Sequence, residues 1–114
     1  AFVQAREFDD AIGAFNAFVN DYPDTRLTPN GYYWLGELYA ANDELDQAEV
    51  SFEKVINDFD GNNKIADALY KLGLVKARQG NSEDGRELLN RVREEFPESS
   101  AAGLAGDFLR QTPE

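Results

Sequence analysis

The sequence predicts an all-α fold: a right-handed α-solenoid of stacked helical hairpins, closed by a C-terminal capping helix. Three observations carry this. First, seven registers recur at an interval of 37 residues: Leu35/Leu72, Gly36/Gly73, Ala11/Ala48/Gly85, Phe15/Phe52/Leu89, Phe18/Val55/Val92, Tyr22/Phe59/Phe96, and Pro23/Pro97 two intervals apart with Asp60 between them. A period of about 20–50 residues marks a repeat array. Second, the spacing inside each period is helical. Tyr32, Leu35, Gly36 and Tyr39 fall at i, i+3, i+4 and i+7, and Ala48, Phe52 and Val55 at i, i+4 and i+7, so each set shares one face. Third, a glycine sits inside the first of these stripes. It costs roughly 1 kcal/mol of helix propensity relative to alanine and is tolerated where a second helix must come close. Gly36 and Ala48 are therefore read as the crossing point of a hairpin.

The totals bound the rest. A chain of 114 residues suits one domain, and 42% hydrophobic with 12% aromatic residues can build a core. No run of about 20 apolar residues is present, so membrane insertion is not expected. No secretory leader is visible in this stretch. The net charge of −11, from 22 acids against 11 bases, argues against nucleic acid and against an anionic membrane surface. It leaves a solvated exterior or a partner with basic segments. The absence of cysteine removes disulfides, thiol chemistry and cysteine metal sites, and does not fix a compartment.

Residues 1–6 read as the last turns of a helix that begins upstream, so residues 1–23 form a truncated first repeat. Its second helix covers 8–21, with Ala11, Phe15 and Phe18 inward and Asp9 and Asp10 in the first turn, where the helix dipole favours acids. Pro23 stops it. Thr28 is a good N-cap and Pro29 a good first residue for the helix to about residue 41. Asn42 and Asp43 turn the chain into a partner helix over about 44–58, so the second repeat is 29–60. Asn63 is the expected cap of the helix at 64–78, which carries Leu69, Leu72 and Gly73 inward. Lys76 stands in the place of Tyr39, with its stem packed and its charge in water. Ser82 caps the next helix, which runs to about residue 95, and the third repeat is 64–97. Ser99 or Ser100 starts the capping helix, 100–110, whose Leu104, Phe108 and Leu109 cover the last repeat. Residues 111–114 read as a frayed tail.

Catalysis has little support. Without histidine or cysteine the commonest bases and nucleophiles are missing. Adjacent acids such as Asp9/Asp10, Asp43/Glu44 and Glu94/Glu95 point about 100° apart on a helix and make no dyad. Asp58, Asp60 and Asn62 have acidic spacing but lack the bidentate glutamate of a calcium loop. No catalytic residue, metal site or cofactor is assigned.

Binding is the function with content. In stacked hairpins the first helices line the concave surface, which takes peptides. Asn30, Tyr33 and Glu37 lie on the face turned away from Leu35 and Tyr39, and their counterparts one repeat on are Asp67, Tyr70 and Leu74, with Arg78 one turn further. Tyrosines supply contact area and a hydroxyl, and an amide can bond a peptide backbone. Trp34 sits beside the core face, which favours packing against the 8–21 helix; the alternative is a partly open contact residue in the same groove. Lys64 and Lys71 either balance nearby acids or join the interaction. Phe2, Phe8 and Ile12 are left uncovered by the truncation, and a partner helix, a second copy of the chain or an upstream segment are the three candidates to cover them.

Paired helices with Leu35-Gly36, Tyr39, Ala48, Phe52 and Val55, repeated as Leu72-Gly73, Gly85, Leu89, Val92 and Pro97, resemble the tetratricopeptide repeat. The usual unit is about 34 residues; the longer loops near 25–27 and 60–62 accommodate the extra three. The string Pro29-Asn30-Gly31-Tyr32-Tyr33-Trp34-Leu35-Gly36-Glu37, with Phe15, Phe18, Tyr22-Pro23, Lys64, Asp67-Ala68, Lys71-Leu72-Gly73 and Ala101-Ala102, resembles the C-terminal domain of the Tol-Pal-associated YbgF family, the cell division coordinators CpoB. Gly31, Asp60 and Gly85 depart from that pattern, which has alanine, proline and alanine there. The resemblance implies a non-enzymatic periplasmic protein that binds TolA and coordinates cell-wall synthesis with outer-membrane constriction. It also implies a signal peptide and a trimeric coiled coil outside this stretch. The rival within the class is a generic scaffold or a chaperone-docking adaptor. An adaptor that clamps an acidic tail needs lysines and asparagines where Tyr33, Glu37 and Tyr70 stand.

Overall fold

The computed structural model describes residues 2–111, with side chains from Arg6 onward. Six α-helices follow one another: α1 (Phe2–Asp21), α2 (Thr28–Ala41), α3 (Leu45–Asn57), α4 (Ile65–Arg78), α5 (Ser82–Glu95) and α6 (Ser100–Gln111). No strand forms among the described residues, and no helix there is long and apolar enough to cross a membrane. Of the tail expected over 111–114, Gln111 instead ends α6; residues 112–114 and the side chain of Phe2 lie outside the described residues.

Successive helices pack as antiparallel neighbours, α2 on α3 and α4 on α5, with α1 and α6 flanking them. Also, α2 approaches α4 and α4 approaches α6, whereas α1, α3 and α5 do not approach one another among the described residues. The chain is thus an α-solenoid, with α2, α4 and α6 on the inner side of its curve. Two clusters of buried side chains run through it. Phe52, Val55, Ala48, Tyr33, Leu72 and Val75 join α2, α3 and α4, and Leu69, Leu89, Val92, Ala101 and Ala105 join α4, α5 and α6.

Small residues set the crossings. A Cβ on Gly36 would meet the Phe52 ring at 2.6 Å. Between α4 and α5 the two backbones themselves meet, because Gly85 faces Gly73: a Cβ on Gly85 would stand 2.7 Å from the Gly73 carbonyl oxygen. A Cβ on Gly31 would meet Phe18 and Val19 of α1 at 2.8 Å. Two of the departures from the family pattern, Gly31 and Gly85, therefore mark close helix approaches.

The repeat extends to the turns. Asp43 (φ 63°) and Gly80 (φ 90°), one period apart, both adopt the left-handed conformation. Asp43 and Glu44 donate to the Ala40 and Tyr39 carbonyls, as Gly80 and Asn81 do to Ala77 and Lys76.

Several expected boundaries move. Residues 2–21 form one continuous helix, because no glycine or proline interrupts the chain between Arg6 and Phe8. Thr28 does not cap α2. It is buried at α2's first position, accepts from the Thr25 backbone N–H at 2.9 Å and donates to the Tyr22 carbonyl, so it ties the preceding loop down. Asn62, rather than Asn63, organises the start of α4: its amide donates to the Val55 and Phe59 carbonyls and its oxygen accepts from Lys64 N–H at 2.7 Å. Ser82 is the first residue of α5, with Asn81 at the N-cap and no side-chain cap bond. At α6 it is Ser99 that acts, accepting from Ala102 N–H at 3.0 Å and donating to the Phe96 carbonyl.

Candidate functional site

The inner face of α2 and α4 carries the aromatic and charged residues that the sequence singles out. At its centre Tyr33 is only 7% exposed. This corrects its expected place on an open groove wall. The ring enters the core edge-on to Phe52, with centroids 5.8 Å apart, because α2 is packed by α1, α3 and α4 and its buried arc is wider than one hairpin demands. Burial, reinforced by the charges of Glu37 and Asp67, pushes the Tyr33 hydroxyl well above the usual tyrosine range.

Trp34 takes the opposite course. It is 45% exposed and stands T-shaped against Tyr33, with centroids 5.4 Å apart at 79°. The favoured expectation, burial against α1, is thereby corrected. That contact is filled instead by Phe18 and Val19 beside Gly31, one turn before Trp34. The Lys64 ammonium lies 4.9 Å from the Tyr33 ring centroid and 5.8 Å from that of Trp34. Each such cation–π contact contributes about 0.5–1 kcal/mol at an exposed site.

A charge pair crosses from α2 to α4 beside the Tyr33 ring. Glu37 and Lys71 meet at 3.2 Å, and Lys71 also lies 5.9 Å from the Tyr70 ring centroid. Asp67 is partly exposed and makes no ion pair among the described residues. Leu74, partly buried, follows Tyr70 by one turn. Trp34, Glu37 and Asp67 thus surround the buried Tyr33 ring, and Lys71 links Glu37 to Tyr70.

Two expected members are diverted. Arg78 turns to the end of α2, where it donates to the Ala40 carbonyl at 3.1 Å and pairs with Asp43 at 3.0 Å. It staples one repeat to the next. Asn30, in the first turn of α2, lines a different feature, an open cavity of about 800 Å³ between the 24–27 loop with the start of α2 and the 58–63 segment. The inner face also contains a residue outside the expected set. Leu104 on α6, expected to cover the last repeat, is instead 50% exposed, that cover coming from Phe108 and Leu109, and it stands one period after Asp67 and two after Asn30. The repeat interval alone would have found it.

On the outer side the grooves between hairpins differ. The one beside α1 is lined by Tyr32, Leu35, Tyr39 and Val50. The next has Lys76 and Glu87 in the places of Tyr39 and Val50.

Comparison with known proteins places these elements in context. Tetratricopeptide repeat models match residues 1–64 and residues 67–99. The cell division coordinator CpoB of Pseudomonas putida is 42% identical over 43 residues, covering 38% of this chain and 16% of that protein. The CpoB of Escherichia coli (strain K12) is 53% identical over 30 residues, covering 26% of this chain and 11% of that protein. The matched stretches are therefore a small part of the relatives' length.

Proposed function

The chain belongs to the tetratricopeptide-repeat family, and on that premise we propose that it is a non-catalytic docking module that takes a partner segment on the α2/α4 face. The observation that carries this reading is Trp34. A large aromatic held half in solvent forgoes hydrophobic stabilisation of about 25 cal/mol per Å² of exposed apolar surface. Behind it the Tyr33 ring is buried in the core, and Trp34 stands T-shaped against it as an anchor. Aromatics of this kind dominate the energetics of protein interfaces. Tyr70, Leu74 and Leu104 extend the surface across α4 and α6.

The partner in this reading is TolA of the Tol-Pal system, met in the periplasm, and the role is coordination of cell-wall synthesis with outer-membrane constriction. Its support is the likeness to cell division coordinators over part of the chain and the Tyr32-Tyr33-Trp34-Leu35-Gly36-Glu37 string on which the docking face is built. A clamp for an acidic tail is disfavoured, since Lys71 is already neutralised by Glu37 and Asp67 adds negative charge.

The test is an NMR titration of the isotope-labelled chain with the periplasmic part of TolA. Shifts centred on the Trp34 indole, Glu37 and Tyr70 are expected. Shifts confined to the loop cavity around Asn30 and Asn62 would keep the partner and move the site, and no shifts would remove the partner.

A further inference from the structure

We propose that the α2/α4 face recognises a lysine or arginine of its partner, and that Lys64 is an internal stand-in for that cation. The inference rests on the docking reading above and names the chemistry of the segment that docks.

The argument begins with where Lys64 puts its charge. Its ammonium forms no ion pair among the described residues. It lies over the Tyr33 and Trp34 rings, 4.9 and 5.8 Å from their centroids. Lys64 is only partly buried, and a lysine side chain that reaches water ordinarily extends its ammonium into it; its placement over the rings reports an attraction of the site for a cation. The two rings stand at 79° to one another, forming a corner with two π faces. Burial is the main cause of the raised Tyr33 hydroxyl pKa, and the charges of Glu37 and Asp67 act on the same group and add to it. Glu37 is already balanced by Lys71 at 3.2 Å, while Asp67 is not balanced by an ion pair. The site thus has an aromatic corner, an unpaired carboxylate and one flexible lysine that a competing cation can displace.

Charge complementarity favours the same occupant. The chain carries a net −11, which steers a basic segment toward it and repels an acidic one. The exchange of Lys64 for a partner lysine or arginine conserves the cation–π contact, and the released Lys64 ammonium regains its full hydration. An arginine fits the corner especially well, since its planar guanidinium stacks on aromatic faces and forks onto a carboxylate.

The inference makes a prediction whose sign is opposite to that of ordinary contact loss. If Lys64 competes with the partner cation, removing it strengthens binding. The probes are three alanine-based peptides of equal length carrying lysine, glutamine or glutamate once per helical turn. Trp34 is the chain's one tryptophan, so its fluorescence reports this site alone. The lysine peptide should perturb Trp34 emission and the other two should not. Lys64→Ala and Lys64→Gln should each tighten the lysine peptide by about threefold, the size of one exposed cation–π contact. Asp67→Asn should weaken it by a similar factor. Circular dichroism of each variant confirms that the helices persist. Unchanged or weaker binding in the Lys64 variants, or preference for the glutamate peptide, overturns the inference. The two readings fail separately. If TolA shifts the Trp34 face while the lysine peptide leaves it unperturbed, docking stands and the cation is lost. If neither perturbs Trp34, the face itself is lost.

Discussion

The Phe52 ring occupies the space where a Gly36 side chain would begin, with three of its carbons 2.6–2.7 Å from the position of a Cβ. Phe52 is fully buried, so the ring cannot swing away without disturbing Tyr33 and Val55. Gly36→Ala gains about 1 kcal/mol of helix propensity but incurs an overpacking cost of about 1–3 kcal/mol, and at this distance the upper end applies. A net loss of about 2 kcal/mol is expected, read as a melting temperature lower by roughly 8 °C. Gly13→Ala is the matched control. Nothing lies within 4 Å of its Cβ position, so the same substitution should raise stability by up to about 1 kcal/mol. Equal destabilisation of both variants in thermal unfolding would show that close approach is not what holds Gly36.

Glu49 and Lys76 link α3 to α4 at 2.9 Å, and Gln79 donates to the same carboxylate at 3.0 Å. The Lys76 hydrogen bond, helped by Gln79, holds the Glu49 carboxyl below its ordinary value of 4.5. The Glu49 bond likewise raises Lys76 above 10.5. A depressed carboxylate contributes stability that is present above its unfolded pKa and lost as pH falls through the folded value. The raised lysine contributes fully below its unfolded pKa and loses its share as pH rises through the folded one. The stability difference between the native chain and Glu49→Gln should therefore be largest between about pH 5 and 10 and shrink toward zero on both flanks. Urea unfolding across pH checks it; a difference independent of pH would mean the pair carries no charge-dependent stability.

Arg78 separates structure from docking. It is about half exposed, so its ion pair with Asp43 adds little, and Arg78→Ala should cost no more than about 1 kcal/mol. Because the guanidinium is directed at the end of α2 and away from Trp34, partner affinity should stay within about twofold of native, against the larger losses typical of interface anchors. A large loss of affinity with intact folding would return Arg78 to the docking face.

The hairpin architecture was legible because it depends on intervals, and intervals survive substitution. The crossing residues Gly36, Ala48, Gly73 and Gly85 and the buried Phe52, Leu72, Leu89 and Val92 all follow from the 37-residue period. The site was legible only in part. A stripe from Tyr32 to Tyr39 describes α2 as if one helix packed against it, and that places Tyr33 outside. Three helices pack against α2, which turns Tyr33 inward and leaves Trp34 out. The partner of Arg78 was beyond sequence reasoning for another reason: a long side chain can reach a carbonyl of the neighbouring repeat as easily as a ligand. Leu104 was within reach, since the same period that pairs Asn30 with Asp67 leads to it.

The inward turn of Tyr33 decides how the docking face must be tested. Tyr33→Ala would leave a cavity beside Phe52 and cost about 3–5 kcal/mol, enough to unfold a marginal domain, so loss of binding in that variant would say nothing about docking. Tyr33→Phe keeps the ring. Among the described residues no group hydrogen-bonds the hydroxyl, so stability at neutral pH should change by less than about 1 kcal/mol. The two proteins should diverge in alkali. The folded-state pKa of Tyr33 is raised, so the native chain's advantage from keeping the phenol neutral is complete below pH 10.0 and fades above it as the unfolded phenol ionises. Native stability should thus fall faster than that of Tyr33→Phe from about pH 10 upward. Trp34→Ala is the variant that speaks to function. Half in water, the indole contributes about 1 kcal/mol to folding, yet as an anchor its removal should weaken partner binding by 2 kcal/mol or more, about thirtyfold. A Trp34→Ala chain that melts near the native temperature and still binds its partner with native affinity would move docking off the α2/α4 face.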